Sequence, residues 1–390
     1  MSVVSIVRTK GEEEKAIAQA VREAVREAGG MSAVVKPGWT VIVKPNWVAV
    51  PPERLTGAIT RWEVTKAVAD LVKEAGARPI IAESSAAGVD TEKVIEKAEY
   101  TILREQGYEV IDLKKETPVL AKVPGKGKVF DEMRTWALVT KADAFISVPV
   151  LKTHDQTEVT LGMKNMKGLI SDAHKKDFHR YGVIEGVVDL LTVFKPVLTV
   201  IDGTVGQEGL GPIFGNPVPM GLIIASTDIV AADAVGGKIV GYEPRDVPIT
   251  VSANARGLGE MDLSKIEIRG VPIADVARRF VRACETKIEG LPPFELLFDE
   301  GTCTGCRNTV VSVLMDLKTQ NLESCLKDKC IVCGPLKAER IPAGLAKEQL
   351  IVVGICAKAL AEKGVFVPGC PPNNSYVVEA VVGKEIGARY

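Results

Sequence analysis

The stretch TVIVKPNWVAVPPERLTGAITRWEVTKAVADLVKEAGARPIIAES (40–84) decides the fold. TVIVKPNW (40–47) is an apolar, β-branched run of strand length, and RPIIAES (78–84) is another. Between them WEVTKAVADLVKEAGA (62–77) carries its apolar residues at helical spacing. Strand, helix, strand in that order forms a parallel βαβ unit, because two parallel neighbours need a long crossover.

The same alternation continues on both sides. SVVSIV (2–7) leads into the helical pattern EEKAIAQAVREAVREAG (13–29), which Gly29 and Gly30 stop. EVIDL (109–113), AFISVPVL (144–151), VLTVIDG (197–203), MGLIIAS (220–226) and KIEIRG (265–270) extend the series of strands. The reading is α/β, with a large N-terminal α/β domain built on a mainly parallel sheet. A helix predicted over 272–288 is broken by GLPPF (290–294), which puts the boundary between residues 290 and 291. The pattern then restarts with FELLF (294–298), the helix RNTVVSVLMDLKTQN (307–321), KCIVCG (329–334), LIVVGIC (350–356) and VFVPGC (365–370). Residues 291–390 are therefore expected to form a smaller flavodoxin-like α/β domain. A chain of 390 residues accommodates two such units.

Composition removes several classes of function. Lys+Arg is 49 and Asp+Glu is 50, so there is no basic surplus of the kind that tracks a phosphate backbone, and no nucleic-acid partner is expected. Apolar runs such as LLTVFKPVLTVI (190–201) fall well short of the roughly 20 residues needed to span a bilayer. The start, MSVVSIVRTKGEEEK, lacks the basic, apolar and small-residue order of a signal peptide. The expected location is cytoplasmic, with no membrane partner.

The eight cysteines are crowded. Cys284, Cys303, Cys306, Cys325, Cys330, Cys333, Cys356 and Cys370 all follow residue 283. In a reducing compartment such crowding favours metal ligation or redox chemistry over disulfides. Cys303, Cys333, Cys356 and Cys370 each sit at or just after a predicted strand end, and parallel strands deliver such ends to one edge. Cys303-x-x-Cys306 suits zinc, a thioredoxin-like pair or an iron–sulfur site, and Cys330-x-x-Cys333 offers a second pair for zinc. Cys284, in the predicted helix, reads as a core residue.

Here EGTCTGCRNTVVSVL (300–314), VVGICAKA (352–359) and VPGCPPNN (367–374) resemble the proximal-cluster region of nickel–iron hydrogenase small subunits and the related cluster subunit of respiratory complex I. The resemblance implies a 4Fe-4S cluster held by Cys303, Cys306, Cys356 and Cys370, with Cys333 an alternative to Cys356. It also implies that Pro371 and Pro372 stiffen the loop of the fourth ligand. The larger part, through VIVKPNWV (41–48), IAESSAAG (81–88), SVPVLKTHDQTEVTLGMKNMKGLI (147–170), IDGTVGQEGLGP (201–212) and RGLGEMDLSKIEIRG (256–270), resembles the domain-of-unknown-function family numbered 362. That family brings no settled reaction with it.

The three histidines, His154, His174 and His179, lie in one locally basic zone. Lys152 and His154 follow a predicted buried strand, where a parallel sheet exposes side chains to its ligand crevice, and Lys164, Asn165 and Lys167 follow in GMKNMKG (162–168). These types suit an anionic substrate, with lysines supplying charge and a histidine moving protons near neutral pH. Lys152, His154 and Lys164 are the catalytic candidates; Lys44, Asn46, Asn165 and Lys167 are the substrate-binding ones. The basic residues of 175–180 read as a solvated face, and Glu83, Ser84 and Ser85 as helix-capping groups.

Together these features predict an iron–sulfur oxidoreductase or electron-transfer protein. It would pass electrons between a 4Fe-4S cluster and an unidentified small molecule, possible anions included, or a partner protein. The alternative is a non-redox enzyme with a His/Lys proton-transfer site, whose zinc or cluster only holds the C-terminal domain together.

Overall fold

The computed structural model describes residues 1–385. Its larger sheet has ten strands, eight of them in one row: Ile266–Gly270, Ser2–Arg8, Asn216–Ser226, Leu198–Glu208, Ala144–Val148, Thr40–Pro45, Arg78–Glu83 and Glu109–Asp112. From Leu198–Glu208 to Glu109–Asp112 every pairing is parallel. Asn216–Ser226 is antiparallel to both its neighbours.

Alternation along the strands sends side chains to opposite faces. Val41, Val43 and Ile81 pack with the helices Glu14–Glu27 and Trp62–Glu74 on one face. Ile42, Ile80 and Phe145 pack with Phe178, Val187 and Val188 on the other. Both faces are covered, which is why the strands read as nearly continuous apolar runs.

The run 144–151 is not one strand. It breaks at Pro149 into Ala144–Val148 and Val150–His154, and the second piece pairs with Asp202 and Gln207 further along Leu198–Glu208. Proline lacks the N–H that would continue the first ladder. Lys152 and His154 therefore lie within a strand of their own, not beyond one.

The predicted helix over 272–288 is also absent. Only Ile273–Val276 is α-helical, followed by an irregular strap and a short turn at Ala283–Glu285. The strap's amides are used elsewhere: Arg278 and Phe280 donate to Ile239 and Val240 at the end of the helix Ile229–Ile239, and Phe280 is fully buried. Tertiary hydrogen bonds outweigh local helical spacing here. Cys284, expected in a helical core, is exposed.

The smaller sheet has four parallel strands in chain order, Glu295–Leu297, Cys330–Cys333, Leu350–Val353 and Val365–Val367. The helices Thr304–Thr319 and Asn374–Val382 pack on it through Val310, Val313, Val377 and Val381. Among the described residues no helix is long and apolar enough to cross a membrane.

Candidate functional site

The strands Thr40–Pro45, Arg78–Glu83 and Ala144–Val148 end side by side, and their C-terminal edge opens into a cavity of about 410 Å³. Such edges are where open α/β sheets bind ligands. Lys44, in register with Ser147, is fully buried, and its Nζ donates to Pro45 O at 2.8 Å, to Asn165 Oδ1 at 2.9 Å and to the Glu83 carboxylate. Burial lowers the Lys44 amine below the usual lysine range, against the pull of Glu83. Glu83 is thus the partner of a buried ammonium and not a helix cap.

The GMKNMKG segment is anchored at its start by Asp233, whose two oxygens accept from the amides of Gly162 and Met163 at 2.7 and 2.9 Å. It ends at Gly168, where a Cβ would lie 1.5 Å from Glu83 Oε1. Only glycine lets this turn close over the Lys44–Glu83 pair. Asn165 then reaches back with Nδ2 to Lys44 O and Ser147 Oγ, both at 3.1 Å. Asn46 is buried: it donates to Asn165 Oδ1 at 3.1 Å and accepts from Lys152 Nζ at 3.0 Å. Lys152 also donates to the carbonyls of Ala58 and Pro212. Burial first, then the fields of Lys164 and Lys44, push the Lys152 amine well down.

His154 is buried beside Asp155 and Lys164. Its Nδ1 lies 2.7 Å from Asp155 Oδ1 and 2.9 Å from the Gln156 amide nitrogen, and its Nε2 lies 3.0 Å from Lys164 Nζ. Burial alone would raise the Asp155 carboxyl, but His154, Ser312 and Asn374 together hold it below the ordinary range. The Gln156 N–H donates to Nδ1 while the ionised Asp155 draws the imidazole proton to the same atom; with the proton there, Nε2 accepts from Lys164. Burial and the Lys164 charge bring His154 down to about 4, so the ring is neutral at physiological pH. Burial brings the Lys164 amine to about 8. Asp155, His154 and Lys164 form a chain of close polar contacts that ends in the cavity.

A second lysine–histidine contact joins Lys167 Nζ to His179 Nε2 at 2.9 Å. Lys175, read from sequence as part of a solvated face, is buried and donates to Ser84 O, Ser84 Oγ and Ser85 O at 2.6–2.7 Å. Its neighbours Lys176 and Arg180 are exposed as expected. His174 lies outside this cavity, with its ring centroid 4.5 Å from that of Phe130.

The two helices that pack on the smaller sheet, Thr304–Thr319 and Asn374–Val382, form the opposite wall. Asp155 Oδ2 accepts from Ser312 Oγ at 2.6 Å and from Asn374 Nδ2 at 3.1 Å. Gln156 Nε2 donates to Thr309 Oγ1 and Pro372 O at 3.0 Å. Cys370 N donates to His179 O, and Cys370 O accepts from the Val183 amide. Sequence reasoning passed over Asp155 and Gln156, although both stand in the quoted THDQT run.

The thiol arrangement follows from the parallel order. Cys303 precedes the helix Thr304–Thr319, Cys333 ends its strand, and Cys356 and Cys370 follow theirs, all at one edge. The Cys306 thiol, with the amides of Cys306 and Gly305 at the helix start, draws the Cys303 thiol down to about 5. Hydrogen bonding to Cys303 and burial push Cys306 up, with Cys333 and Cys370 adding. Cys370 is raised by burial and by the fields of Cys303 and Cys356. Cys306 thus feels Cys303, Cys333 and Cys370, and Cys370 also feels Cys356, a soft donor set suited to iron–sulfur or zinc chemistry. Among the described residues no group of three or more His, Cys, Asp or Glu side chains is close enough as it stands to hold a metal ion. Cys330 and Cys333 occupy opposite ends of one strand and pack into different apolar clusters, so they form no chelating pair.

Residues 41–238 match the family described as "Domain of unknown function (DUF362)". The chain belongs to that family. A relative of this DUF362 chain, Thylakoid-associated protein sll1697 from Synechocystis sp. (strain ATCC 27184 / PCC 6803 / Kazusa), is 32% identical over an alignment of 273 residues, and the match covers 65% of this chain and 79% of the relative. Among solved structures, the lactate racemase apoprotein from Thermoanaerobacterium thermosaccharolyticum aligns with a TM-score of 0.36 and 12% identity over 60% of this chain. This chain spans 57% of that structure's length, and the likeness is too distant to bear on function.

Proposed function

We propose that this DUF362 chain is an iron–sulfur oxidoreductase acting on a small anionic molecule held in the cavity at Lys164 and Lys167. Cys303, Cys306 and Cys370, with Cys356 or Cys333, would hold a 4Fe-4S cluster, which when bound supplies one-electron exchange. The observation that carries the reading is the shared wall: Ser312 and Asn374, which touch Asp155, belong to the helix that starts at Cys303 and the segment that follows Cys370.

The chain's own residues supply the rest of the chemistry. Lys164 and Lys167 attract the anion. His154, oriented by Asp155 and neutral at physiological pH, accepts a hydrogen bond at Nε2 from Lys164, and Lys164, titrating at about 8, exchanges its proton with the bound molecule. The Lys44–Glu83–Asn165–Asn46–Lys152 network holds the cavity floor at fixed geometry. Eight free cysteines favour a reducing compartment, so the cytoplasm remains our reading for this chain.

A second reading is favoured by one fact: Asp155, His154 and Lys164 all belong to the larger domain and, among the described residues, touch no cysteine side chain. It is proton transfer without redox, with a zinc ion or a cluster only bracing the smaller sheet. The test is turnover of candidate anions by anaerobically prepared protein, with and without a one-electron donor. Turnover that requires the donor supports the redox reading; donor-independent turnover supports the second.

A further inference from the structure

Lys164, Lys167 and Lys175 line the cavity and Lys44 and Lys152 lie buried behind it, and their hydrogen bonds divide the five sharply. An ammonium has three N–H donors. Lys44 spends its three on Pro45, Glu83 and Asn165; Lys152 spends its three on Asn46, Ala58 and Pro212. Lys175 spends its own on Ser84 and Ser85 and pairs with Asp172. These three are internal struts. Among the described residues Lys164 has one hydrogen-bond partner, His154, and Lys167 has one, His179. Lys167 otherwise faces the Phe178 ring, 5.5 Å from its centroid. Each keeps two donors unspent, and both residues line the cavity.

The two are three positions apart in consecutive turns, Gly162–Asn165 and Met166–Leu169, a spacing that sets side chains on one face. They feel each other: the Lys164 charge helps depress the Lys167 amine, after burial. Two adjacent ammonium groups, half-buried and with donors that no protein acceptor among the described residues takes up, are completed best by oxyanions. The nearby carboxylates do not do so. Glu83 is committed to Lys44 and Asp155 to His154, Ser312 and Asn374. Asp316 and Glu379, on the opposite wall, have other interactions of their own.

We infer that Lys164 and Lys167, each backed by a histidine, form a two-point receptor for a small molecule with two acidic groups, one oxyanion on each ammonium. Short dicarboxylates and phosphorylated carboxylates share this chemistry, and a monoanion can satisfy only half of it. The inference rests on reading the cavity as a small-anion site but not on the cluster.

The test is calorimetric titration of the full-length protein at neutral pH and fixed ionic strength. Acetate, malonate, succinate, glutarate and inorganic phosphate are the probes. One member of the dicarboxylate series should bind roughly tenfold or more tighter than acetate, since it gains a second charge-assisted contact. K164M and K167M should each reduce that dianion to about the acetate level. K176M, which removes an exposed charge at the rim, should change it less than about twofold. A dicarboxylate series no tighter than acetate overturns the proposal on the unaltered protein, whatever the variants do. So does a K176M loss equal to that of K164M, because the cause would then be diffuse charge. Phosphate as the best probe, with both lysine variants impaired equally, assigns both ammoniums to one phosphoryl group and also overturns the two-group receptor. Dianion preference in a protein without iron would sink the redox reading alone; stoichiometric iron without that preference would sink this inference alone.

Discussion

Replacing Glu83 by Gln keeps the shape of the side chain and removes its charge, leaving Lys44 buried without a counter-ion. Two outcomes are open to the variant. If Lys44 stays charged, a broken buried pair costs about 3–5 kcal/mol. If it gives up its proton, the cost at pH 7 is that of neutralising a lysine whose ordinary value is near 10.4, about 4.6 kcal/mol. The second route sets a ceiling, so the expected loss at pH 7 is about 3–4.6 kcal/mol. The pH dependence has a definite sign. Burial already lowers the Lys44 amine, and the variant lowers it further, so the unfolded chain binds more protons than the folded one. Along the neutralised route stability therefore rises with pH, by up to about 1.4 kcal/mol per pH step, until the unfolded lysine itself titrates. Urea unfolding of both proteins at pH 7 and pH 9 measures this. Removing both charges together, as in Lys44→Met with Glu83→Leu, should cost less than the single change, since a buried pair is often replaceable as a unit. A loss below about 1 kcal/mol that does not vary with pH would refute the claim that the pair is buried and coupled.

Other expectations follow from the same geometry. Anion binding should weaken as pH rises through about 8, because Lys164 must carry its proton to attract the ligand while facing His154, Asp155, Lys44 and Lys167; titration at pH 6.5, 7.5 and 8.5 checks it, and affinity that rises with pH contradicts it. Asp155→Asn should shift the His154 proton from Nδ1 towards Nε2, read from nitrogen chemical shifts in a chain with only three histidines; an unchanged tautomer would mean that Asp155 does not orient the ring. Gly168→Ala forces Glu83 aside and should destabilise the protein by about 2 kcal/mol or more in urea unfolding, whereas a change within about 0.5 kcal/mol would show that the turn relaxes freely.

Much of the fold was legible because both sheets are buried on two faces. TVIVKPNW, RPIIAES and LIVVGIC carry uninterrupted apolar runs, and the helices between them carry the longer period. The break at Pro149 and the strap over 277–282 were not legible, since both depend on partners far along the chain. The site was legible in part for the same reason. Lys44, Asn46, Lys152, His154, Lys164, Asn165 and Lys167 all flank strand ends or lie in one short segment, and the structure brings them together. Lys175 and Lys176 are indistinguishable in a polar helix until the Ser84–Ser85 loop is placed against one of them. Ser312 and Asn374 carried no signal, because their role exists only where the second sheet meets the first.

The central claim is that sulfurs from the loops of the smaller sheet close on one inorganic cluster beside the cavity. Iron and acid-labile sulfide analysis with electron paramagnetic resonance, on protein prepared without oxygen, tests it most directly. The account predicts a brown protein with about four irons and four sulfides per chain. It also predicts a reduced-state signal whose shape changes when a dianion fills the cavity. A colourless protein carrying stoichiometric zinc, or one with no metal under those conditions, would contradict it.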